Sequence, residues 1–295
     1  MKLTGSIVAL ITPMHQNGTI DYATLHQLID WHLKSGTAGL VVAGSTGESM
    51  TLDPDERTAL IAEVSEHVSG QVPVIASTGT SATHTTIKLT EAAKKAGADV
   101  ALIVTPYYNK PPQEGLYLHY KTIAENIDIP IILYNVPGRT ACDLLPETVA
   151  ALSTLQNIIG IKEAVGQLER ARTIREKCGP TFMLFSGEDE IAAEWMLKNL
   201  AEGVISVTAN VAPFQMQKMC EAALAGNQAL TSEMNESLHL LHQRLFIASN
   251  PIPTKWVLQE MGKIAGNLRS PLLPLDKKHH HAVKEAMQKA GIKTL

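Results

Sequence analysis

The sequence predicts an α/β protein that folds as a (β/α)8 TIM barrel with a C-terminal helical extension. Short apolar runs occur eight times, helix-like segments separate them, and each run is apolar at consecutive positions. Parallel strands covered by helices have this pattern, and eight successive β/α units close a barrel. The predicted strands are 7–11, 40–43, 72–76, 100–104, 130–133, 158–161, 182–185 and 204–207.

Helical segments are predicted between these strands, for example at 21–34, 55–68 and 83–95, where apolar residues return every three or four positions. A doubly wound parallel sheet is the alternative fold. It is disfavoured because no predicted strand is followed by the Gly-x-Gly-x-x-Gly turn that cradles a dinucleotide.

Two domains are predicted, a barrel over residues 1–225 and a helical domain over residues 226–295. The second is interrupted at 250–253 and again at Pro271 and Pro274, since proline cannot continue a helix. Its leucines and methionines recur at helical spacing, and its polar residues show no catalytic grouping. We therefore expect it to serve in packing or assembly.

Composition limits the possible partners. The 295-residue chain has a formal net charge of −4, which disfavours binding to nucleic acid. No stretch approaches the ~20 apolar residues of a membrane helix, so no membrane association is expected. Cys142, Cys178 and Cys220 lack the paired spacing of zinc or redox motifs. They indicate free thiols in a reducing compartment, and we predict a cytoplasmic protein.

The residues that follow four of the predicted strands are rich in hydroxyl groups, at 44–49, 77–80, 105–109 and 134–139. Working groups of α/β barrels gather at these strand ends, so the four loops are expected to converge on one ligand. The Gly-Ser-Thr-Gly loop at 44–47 offers backbone N–H groups suited to a carboxylate. A plain turn capped by hydroxyls would account for the same residues.

Lys162 follows the apolar run 158–161, so its amine is expected in the barrel mouth. Desolvation favours the neutral amine, which can attack a keto carbonyl and form an iminium. A structural lysine paired with a carboxylate is the alternative. Arg139 adds a planar fork for a carboxylate, and the hydroxyls of Tyr134 and Tyr108 are candidates for proton transfer.

These motifs resemble those of the dihydrodipicolinate synthase family within the pyruvate-dependent class I aldolases, and the resemblance covers the whole chain. It is carried by Gly-Ser-Thr-Gly-Glu-Ser at 44–49, Val-Thr-Pro-Tyr-Tyr-Asn-Lys-Pro at 104–111, Tyr-Asn-Val-Pro-Gly-Arg-Thr at 134–140, Gly-Ile-Lys-Glu-Ala at 160–164, Ser-Val-Thr-Ala-Asn at 206–210 and Asn-Pro-Ile-Pro at 250–253.

The resemblance implies roles for five residues around a substrate carboxylate. Lys162 forms the Schiff base with pyruvate, and Ser45 and Thr46 lie near the carboxylate. Tyr134 is the principal acid/base. Tyr108 reaches across a dimer interface and completes a proton relay with Tyr134 and Ser45.

The resemblance also implies the second substrate and the assembly. Arg139 binds the carboxylate of L-aspartate 4-semialdehyde, while Gly187 and Ile205 line the pocket. The product is 4-hydroxy-tetrahydrodipicolinate, an intermediate of lysine and diaminopimelate biosynthesis. No cofactor or metal is expected beyond the covalent iminium on Lys162, and a homotetramer built as a dimer of dimers is implied.

Two departures from the family pattern lie close to these residues. Ser45 stands where the synthases usually carry threonine, which removes a methyl group that restricts χ1. Val165 stands where threonine is common, and we derive no consequence from it.

The lysine-inhibited members of the family hold lysine at the dimer interface through His, Asn and Glu side chains. Of that set this chain keeps only Ser49 and Tyr107, and without a carboxylate at position 85 the inhibitor's ammonium groups lose a charged partner. We therefore predict weak or absent feedback. The replaced positions read Pro54, Arg57, Ser81 and Thr85.

Two other functions are compatible with these residues. An N-acetylneuraminate lyase or 2-keto-3-deoxy sugar acid aldolase would use the same lysine, but a polyol tail needs neutral partners rather than the cation of Arg139. A barrel that only binds ligands is the other alternative, because fold does not fix function. Retention of Lys162, Tyr134, Tyr108 and Arg139 together argues against it.

Overall fold

The computed structural model describes residues 3–294. Its strands pair in parallel in sequence order, and β8 also pairs with β1, so the barrel is closed. The predicted fold class is thereby confirmed. The strands are β1 (Gly5–Ala9), β2 (Gly39–Val42), β3 (Val74–Ser77), β4 (Val100–Val104), β5 (Ile131–Asn135), β6 (Ile158–Glu163), β7 (Met183–Ser186) and β8 (Gly203–Ser206).

Helices follow each strand on the outside of the barrel, and three more form the C-terminal part. Many begin at the residues expected from capping chemistry, such as Asp21, whose carboxylate accepts the N–H of Thr24. The helices are α1 (Tyr22–Lys34), α2 (Pro54–Val68), α3 (Thr83–Lys95), α4 (Gln113–Asn126), α5 (Pro137–Thr140), α6 (Pro146–Leu152), α7 (Leu168–Cys178), α8 (Asp189–Leu197), α9 (Pro213–Leu224), α10 (Gln228–Arg244), α11 (Ile252–Glu260) and α12 (Lys277–Lys289).

The strands are apolar on both faces because each face has its own core. Outward side chains such as Val8, Leu40 and Ile161 pack against the helices, in one large cluster. Inward side chains such as Ile7 and Phe185 form a second cluster inside the barrel. Successive strand residues alternate between the two, as the period of two requires.

The strand boundaries differ from the predicted ones by one or two residues in most cases. The first strand starts at Gly5, two residues before the predicted start, because Gly5 pairs with Gly203 of β8. A Cβ at Gly203 would lie only 2.1 Å from the Gly5 carbonyl oxygen, so the backbones approach too closely for a side chain. Glycine has a low β-propensity, so the sequence pattern did not include Gly5 in the first strand, and the predicted strand starts two residues too late.

The C-terminal helices pack against the barrel's outer helices. α10 lies against α8, α9 and α12. The predicted domain division at residue 225 falls between the end of α9 and the start of α10. Among residues 3–294, no helix is both long and apolar enough to cross a membrane.

Candidate active site

Lys162 lies within β6 rather than after it, in register with Tyr134 of β5 and Phe185 of β7. Since neighbouring strand residues alternate, Lys162 points into the barrel while Ile161 and Glu163 point outward. Its amine lies 4.4 Å from the centroid of the Tyr134 ring. Within residues 3–294, no carboxylate forms an ion pair with this amine, so the alternative of a structural lysine paired with a carboxylate is not supported.

The surroundings of Lys162 favour its neutral form. The residue is 6% exposed, and burial lowers the pKa of the amine to about 8, although the carboxylates of Asp189 and Glu188 oppose the shift. With this pKa, roughly a tenth of the amine is uncharged at pH 7, far more than for an ordinary lysine, and only the uncharged amine is nucleophilic.

A small cavity, here called the inner cavity, surrounds the end of Lys162. Its volume of about 50 Å³ suits a few water molecules or a ligand of that size. It shares lining residues, among them Ser45, Tyr134 and Arg139, with a larger outer groove of about 840 Å³. The predicted site residues that line the inner cavity are Ser45, Thr46, Tyr134, Arg139, Lys162 and Gly187.

The loop after β2 presents hydroxyl and backbone groups to the inner cavity. Thr46 is buried, and its Oγ1 accepts a hydrogen bond from the Asn250 side chain at 2.8 Å. The loop is also held by the segment after β1, since the Thr12 hydroxyl donates to the Gly47 carbonyl at 2.8 Å. Within residues 3–294, the backbone N–H groups of Ser45 and Thr46 have no protein acceptor. These free donors suit an anionic ligand.

Tyr134 and Arg139 also line the inner cavity, Tyr134 near the end of β5 and Arg139 in the short helix α5. Tyr134 is buried, which raises the pKa of its hydroxyl to about 12, partly offset by Arg139. The hydroxyl is therefore protonated at physiological pH and can donate. Arg139 is exposed at the mouth, where it lines both the inner cavity and the outer groove.

Tyr108 is not brought to Lys162 within one chain. It is 92% exposed, lines the outer groove and has a positive φ of 74°, a conformation uncommon for a residue with a large side chain. A large aromatic side chain so exposed is typical of an interaction surface. Its predicted role needs a second copy of the chain and stays a prediction.

Gly187 and Ile205 occupy different depths of the barrel. A Cβ at Gly187 would lie 2.6 Å from the Ala164 Cβ, so glycine is required to keep this wall close to β6. Ile205 is fully buried in the cluster inside the barrel. Val207, two residues further along the chain, lines the inner cavity.

A buried network behind Lys162 was not predicted from the sequence. The Glu163 side chain is fully buried and accepts hydrogen bonds from Arg170 at 2.8 Å and from Asn135 at 3.1 Å. Arg170 also pairs with Asp143 at 2.7 Å. Burial raises the pKa of Glu163, while Arg170 opposes the increase. The network anchors the strand that carries Lys162 to the neighbouring loop.

Two further residues of the inner cavity were also missed, Glu188 and Asn250. Burial, reinforced by Asp189, raises the pKa of Glu188 to about 7. A Gly-Glu-Asp sequence after a predicted strand is a signal that could have identified Glu188. Asn250 appears in the sequence analysis as part of a tail interruption and of a family motif but not as a site residue, and its position in the cavity follows from tertiary structure alone.

The outer groove contains part of the interface set discussed for lysine inhibition. The Arg57 guanidinium donates to the Ser49 carbonyl at 2.5 Å, and both residues line the groove together with Tyr107. A cation therefore lies in this groove, and the position where a carboxylate would be needed is occupied by Thr85. The prediction of weak feedback stays a prediction.

Comparisons with known proteins agree over nearly the whole chain. Residues 2–290 match the Dihydrodipicolinate synthetase family. A 4-hydroxy-tetrahydrodipicolinate synthase of Alcanivorax borkumensis is 53% identical, over 98% of each chain. The chloride-inhibited dihydrodipicolinate synthase of Acinetobacter baumannii, solved with pyruvate, is 46% identical, with a TM-score of 0.97 over 99% of this chain and 100% of that one. The enzyme of Aquifex aeolicus is 40% identical, with a TM-score of 0.96 over 99% of each. This chain is a member of the Dihydrodipicolinate synthetase family.

Proposed function

We propose that this protein condenses pyruvate with L-aspartate 4-semialdehyde to give 4-hydroxy-tetrahydrodipicolinate, in lysine and diaminopimelate biosynthesis. The observation that carries the proposal is the buried amine of Lys162, which has no ion-pair partner in the described part of the chain and lies in a small cavity lined with hydroxyl groups. The names of the full-length relatives support the same reaction.

The chemistry begins with the neutral amine of Lys162. It attacks the keto carbon of pyruvate, and loss of water gives an iminium bonded to the enzyme. Loss of a methyl proton then gives an enamine. The enamine carbon attacks the aldehyde of the second substrate, and the aldehyde oxygen takes up a proton. The substrate's own amine finally displaces Lys162 by transimination, which closes the ring and frees the enzyme without any external oxidant or cofactor.

The surrounding groups are suited to hold and protonate these species. Hydroxyl and N–H donors of Ser45 and Thr46 face the side where the pyruvate carboxylate would bind. Tyr134 lies next to Lys162 and is protonated at neutral pH, so it can donate to the departing water and to the new alkoxide.

Arg139 supports aspartate semialdehyde over a sugar acid as second substrate. Its guanidinium lies at the mouth of the inner cavity. If the three carbons of pyruvate fill the inner cavity as an iminium, the carboxylate end of the second substrate would lie at this mouth. A guanidinium binds a carboxylate by two parallel hydrogen bonds, whereas a neutral polyol leaves that charge unpaired.

The proposal is tested by chemical trapping and by substrate comparison. Incubation with pyruvate and borohydride should add one reduced pyruvate to Lys162, seen by peptide mass spectrometry. Condensation of aspartate semialdehyde with added pyruvate should be faster than release of pyruvate from N-acetylneuraminate or 2-keto-3-deoxy sugar acids, measured in separate assays. An unmodified Lys162 in the folded protein would refute the mechanism, and a preference for sugar acids would refute the substrate assignment.

The lowered pKa of Lys162 predicts the pH dependence of the first step. Because the neutral amine reacts, kcat/KM for pyruvate should rise about tenfold per pH unit below pH 8 and level off above it. If the amine had the ordinary lysine pKa of 10.5, kcat/KM would still be rising at pH 9. Initial rates between pH 6 and pH 9.5 measure this, and a continued rise beyond pH 9 would contradict it.

We also propose that the protein acts as a cytoplasmic homotetramer in which Tyr108 completes the proton relay of a neighbouring copy. The exposure of Tyr108 and of Met50 beside the outer groove supports a covered surface there. The buried free thiols of Cys142 and Cys220 support a reducing compartment. Sedimentation velocity measures the assembly directly.

A further inference from the structure

The loop that carries Ser45 and Thr46 ends in a buried ion pair with the C-terminal part of the chain. The Glu48 carboxylate contacts the amine of Lys255, which lies on α11, and both side chains are 0% exposed. The second oxygen of Glu48 accepts the backbone N–H of Arg269 at 3.0 Å. The Lys255 amine also donates to the Asn267 carbonyl at 2.8 Å. Each oxygen of Glu48 therefore contacts a group supplied by the C-terminal segment.

The segment that receives Glu48 is itself fixed. The Arg269 guanidinium donates to the Glu56 carboxylate at 2.7 Å and to the carbonyls of Thr51 and Gly18 at 2.6 and 2.8 Å. The Asn267 side chain donates to the Met14 carbonyl at 3.0 Å. The C-terminal segment is thus tied to the loops after β1 and β2, and it can hold Glu48 in one position.

A second tie acts directly on a hydroxyl of the inner cavity. The Asn250 side-chain N–H donates to Thr46 Oγ1 at 2.8 Å. The side-chain oxygen Oδ1 of Asn250 accepts from the Thr254 hydroxyl at 3.3 Å, which orients the side-chain amide. Because this donor occupies a lone pair of Thr46 Oγ1, the Thr46 hydroxyl hydrogen is left to donate to a ligand.

The ion pair is not explained by stability alone. Two charges lose much of their hydration on burial, and apolar residues of similar volume commonly stabilise a core as well or better. Glu48 also adopts a left-handed backbone conformation, with φ of 58°, which is strained for a residue with a Cβ. A buried ion pair with a desolvation cost and a residue with a strained backbone, both in a loop that lines a ligand cavity, are typical of residues kept for function rather than for stability.

We propose that the Glu48–Lys255 ion pair and the Asn250 amide are positioning groups that hold the Ser45–Thr46 segment in the geometry that receives the carboxylate of pyruvate. The C-terminal part of the chain is then a component of the substrate site. The inference rests on the proposed function, since it assigns a ligand to that same cavity.

Three variants separate positioning from stability. In Lys255→Met, the unpaired Glu48 should lower thermal stability and raise KM for pyruvate. In the double variant Glu48→Gln/Lys255→Met, no buried charge is unpaired, so stability should return close to that of the natural protein. Its KM for pyruvate should stay raised by about tenfold, with kcat changed by less than about threefold, because the lost contacts hold the pyruvate carboxylate equally in the ground state and in the transition state. The matched control is Lys284→Met, which breaks an exposed tail pair with Glu260 and should change neither constant.

Borohydride trapping gives an independent readout. At low pyruvate the double variant should be trapped less than the control, and saturating pyruvate should restore trapping to the same extent. A folded double variant whose KM for pyruvate lies within about twofold of the natural value would overturn the proposal, because the pair would then be structural only.

If the double variant does not fold, the variant Asn250→Ala tests the proposal. It removes the donor to Thr46 without leaving a charge, and it should raise KM for pyruvate in the same direction, while an unchanged KM overturns the proposal. Failure of the proposed function gives a different pattern, because the natural protein and Lys284→Met would then also remain untrapped at saturating pyruvate. That result removes the ligand on which the inference rests and overturns it as well.

Discussion

Replacing Lys162 with alanine is expected to reduce pyruvate-dependent turnover by about three orders of magnitude or more, and to abolish the borohydride adduct. The substitution removes the only amine in the inner cavity among the described residues 3–294, so no iminium can form there. The remaining hydroxyl groups would still bind a carboxylate, but binding without the covalent step does not acidify the methyl group of pyruvate. Steady-state rates and intact-protein mass spectrometry measure both effects.

A second lysine provides the control for this experiment. Lys263→Ala removes a tail amine whose pKa is also lowered by partial burial, but which lies over the ring of Trp31 outside the inner cavity. It should leave turnover and the adduct on Lys162 unchanged. Substantial turnover in folded Lys162→Ala would show that the covalent mechanism is wrong, whatever the reaction catalysed.

The second large effect is expected on stability, from Arg170→Met. The substitution leaves Glu163 as a buried carboxylate without its cation, and breaking such a pair costs about 3–5 kcal/mol. Urea unfolding followed by fluorescence or circular dichroism measures the loss. The double variant Arg170→Met/Glu163→Gln should recover most of it, because the only carboxylate that then loses its cation, Asp143, is 37% exposed and can be hydrated.

The same variant should show a characteristic dependence on pH. The folded-state pKa of Glu163 is already raised by burial, and loss of Arg170 removes the group that opposes the increase. A carboxyl with a raised folded-state pKa penalises folding above that pKa, and the penalty disappears as pH falls through the folded-state pKa toward the unfolded value. The deficit of Arg170→Met should therefore be smaller at pH 5 than at pH 8.

Arg172→Met is the matched control, since Arg172 lies on the same helix and pairs with Glu169 near the surface. Exposed pairs contribute little, so a loss within about 0.5 kcal/mol is expected. An equal loss in Arg172→Met and Arg170→Met would contradict the assignment of the effect to the buried carboxylate.

Much of the architecture was predictable because local pattern and global fold agree. The eight apolar runs became eight strands, and β4 and α3 match their predicted limits. Boundaries failed where backbone contact rather than side-chain preference sets them, as at Gly5 and Gly203 in β1 and β8. β6 extends through Lys162 to Glu163, although charged residues are disfavoured in strands, because both residues pair with β5 and β7.

The residues of the candidate site that lie at or just after the ends of strands were predictable from the sequence. Ser45, Thr46, Tyr134, Arg139 and Lys162 each follow or end a predicted strand, and the closed barrel brings all five to one cavity. The partners that hold them were not predictable. Glu163 and Arg170 are joined only when α7 packs on the barrel, so no local pattern marks the pair.

The sequence by itself determined the strand order, the hydroxyl-rich loops and the lysine at the end of an apolar run, because each is encoded within a short stretch of neighbouring residues. Tertiary structure alone decided that, within residues 3–294, this lysine has no carboxylate partner, that it is desolvated, and that the tail reaches back over 204 residues to Thr46. Burial and long-range hydrogen bonds depend on how distant segments meet, and it is these that lower the pKa of Lys162 and orient the groups around it.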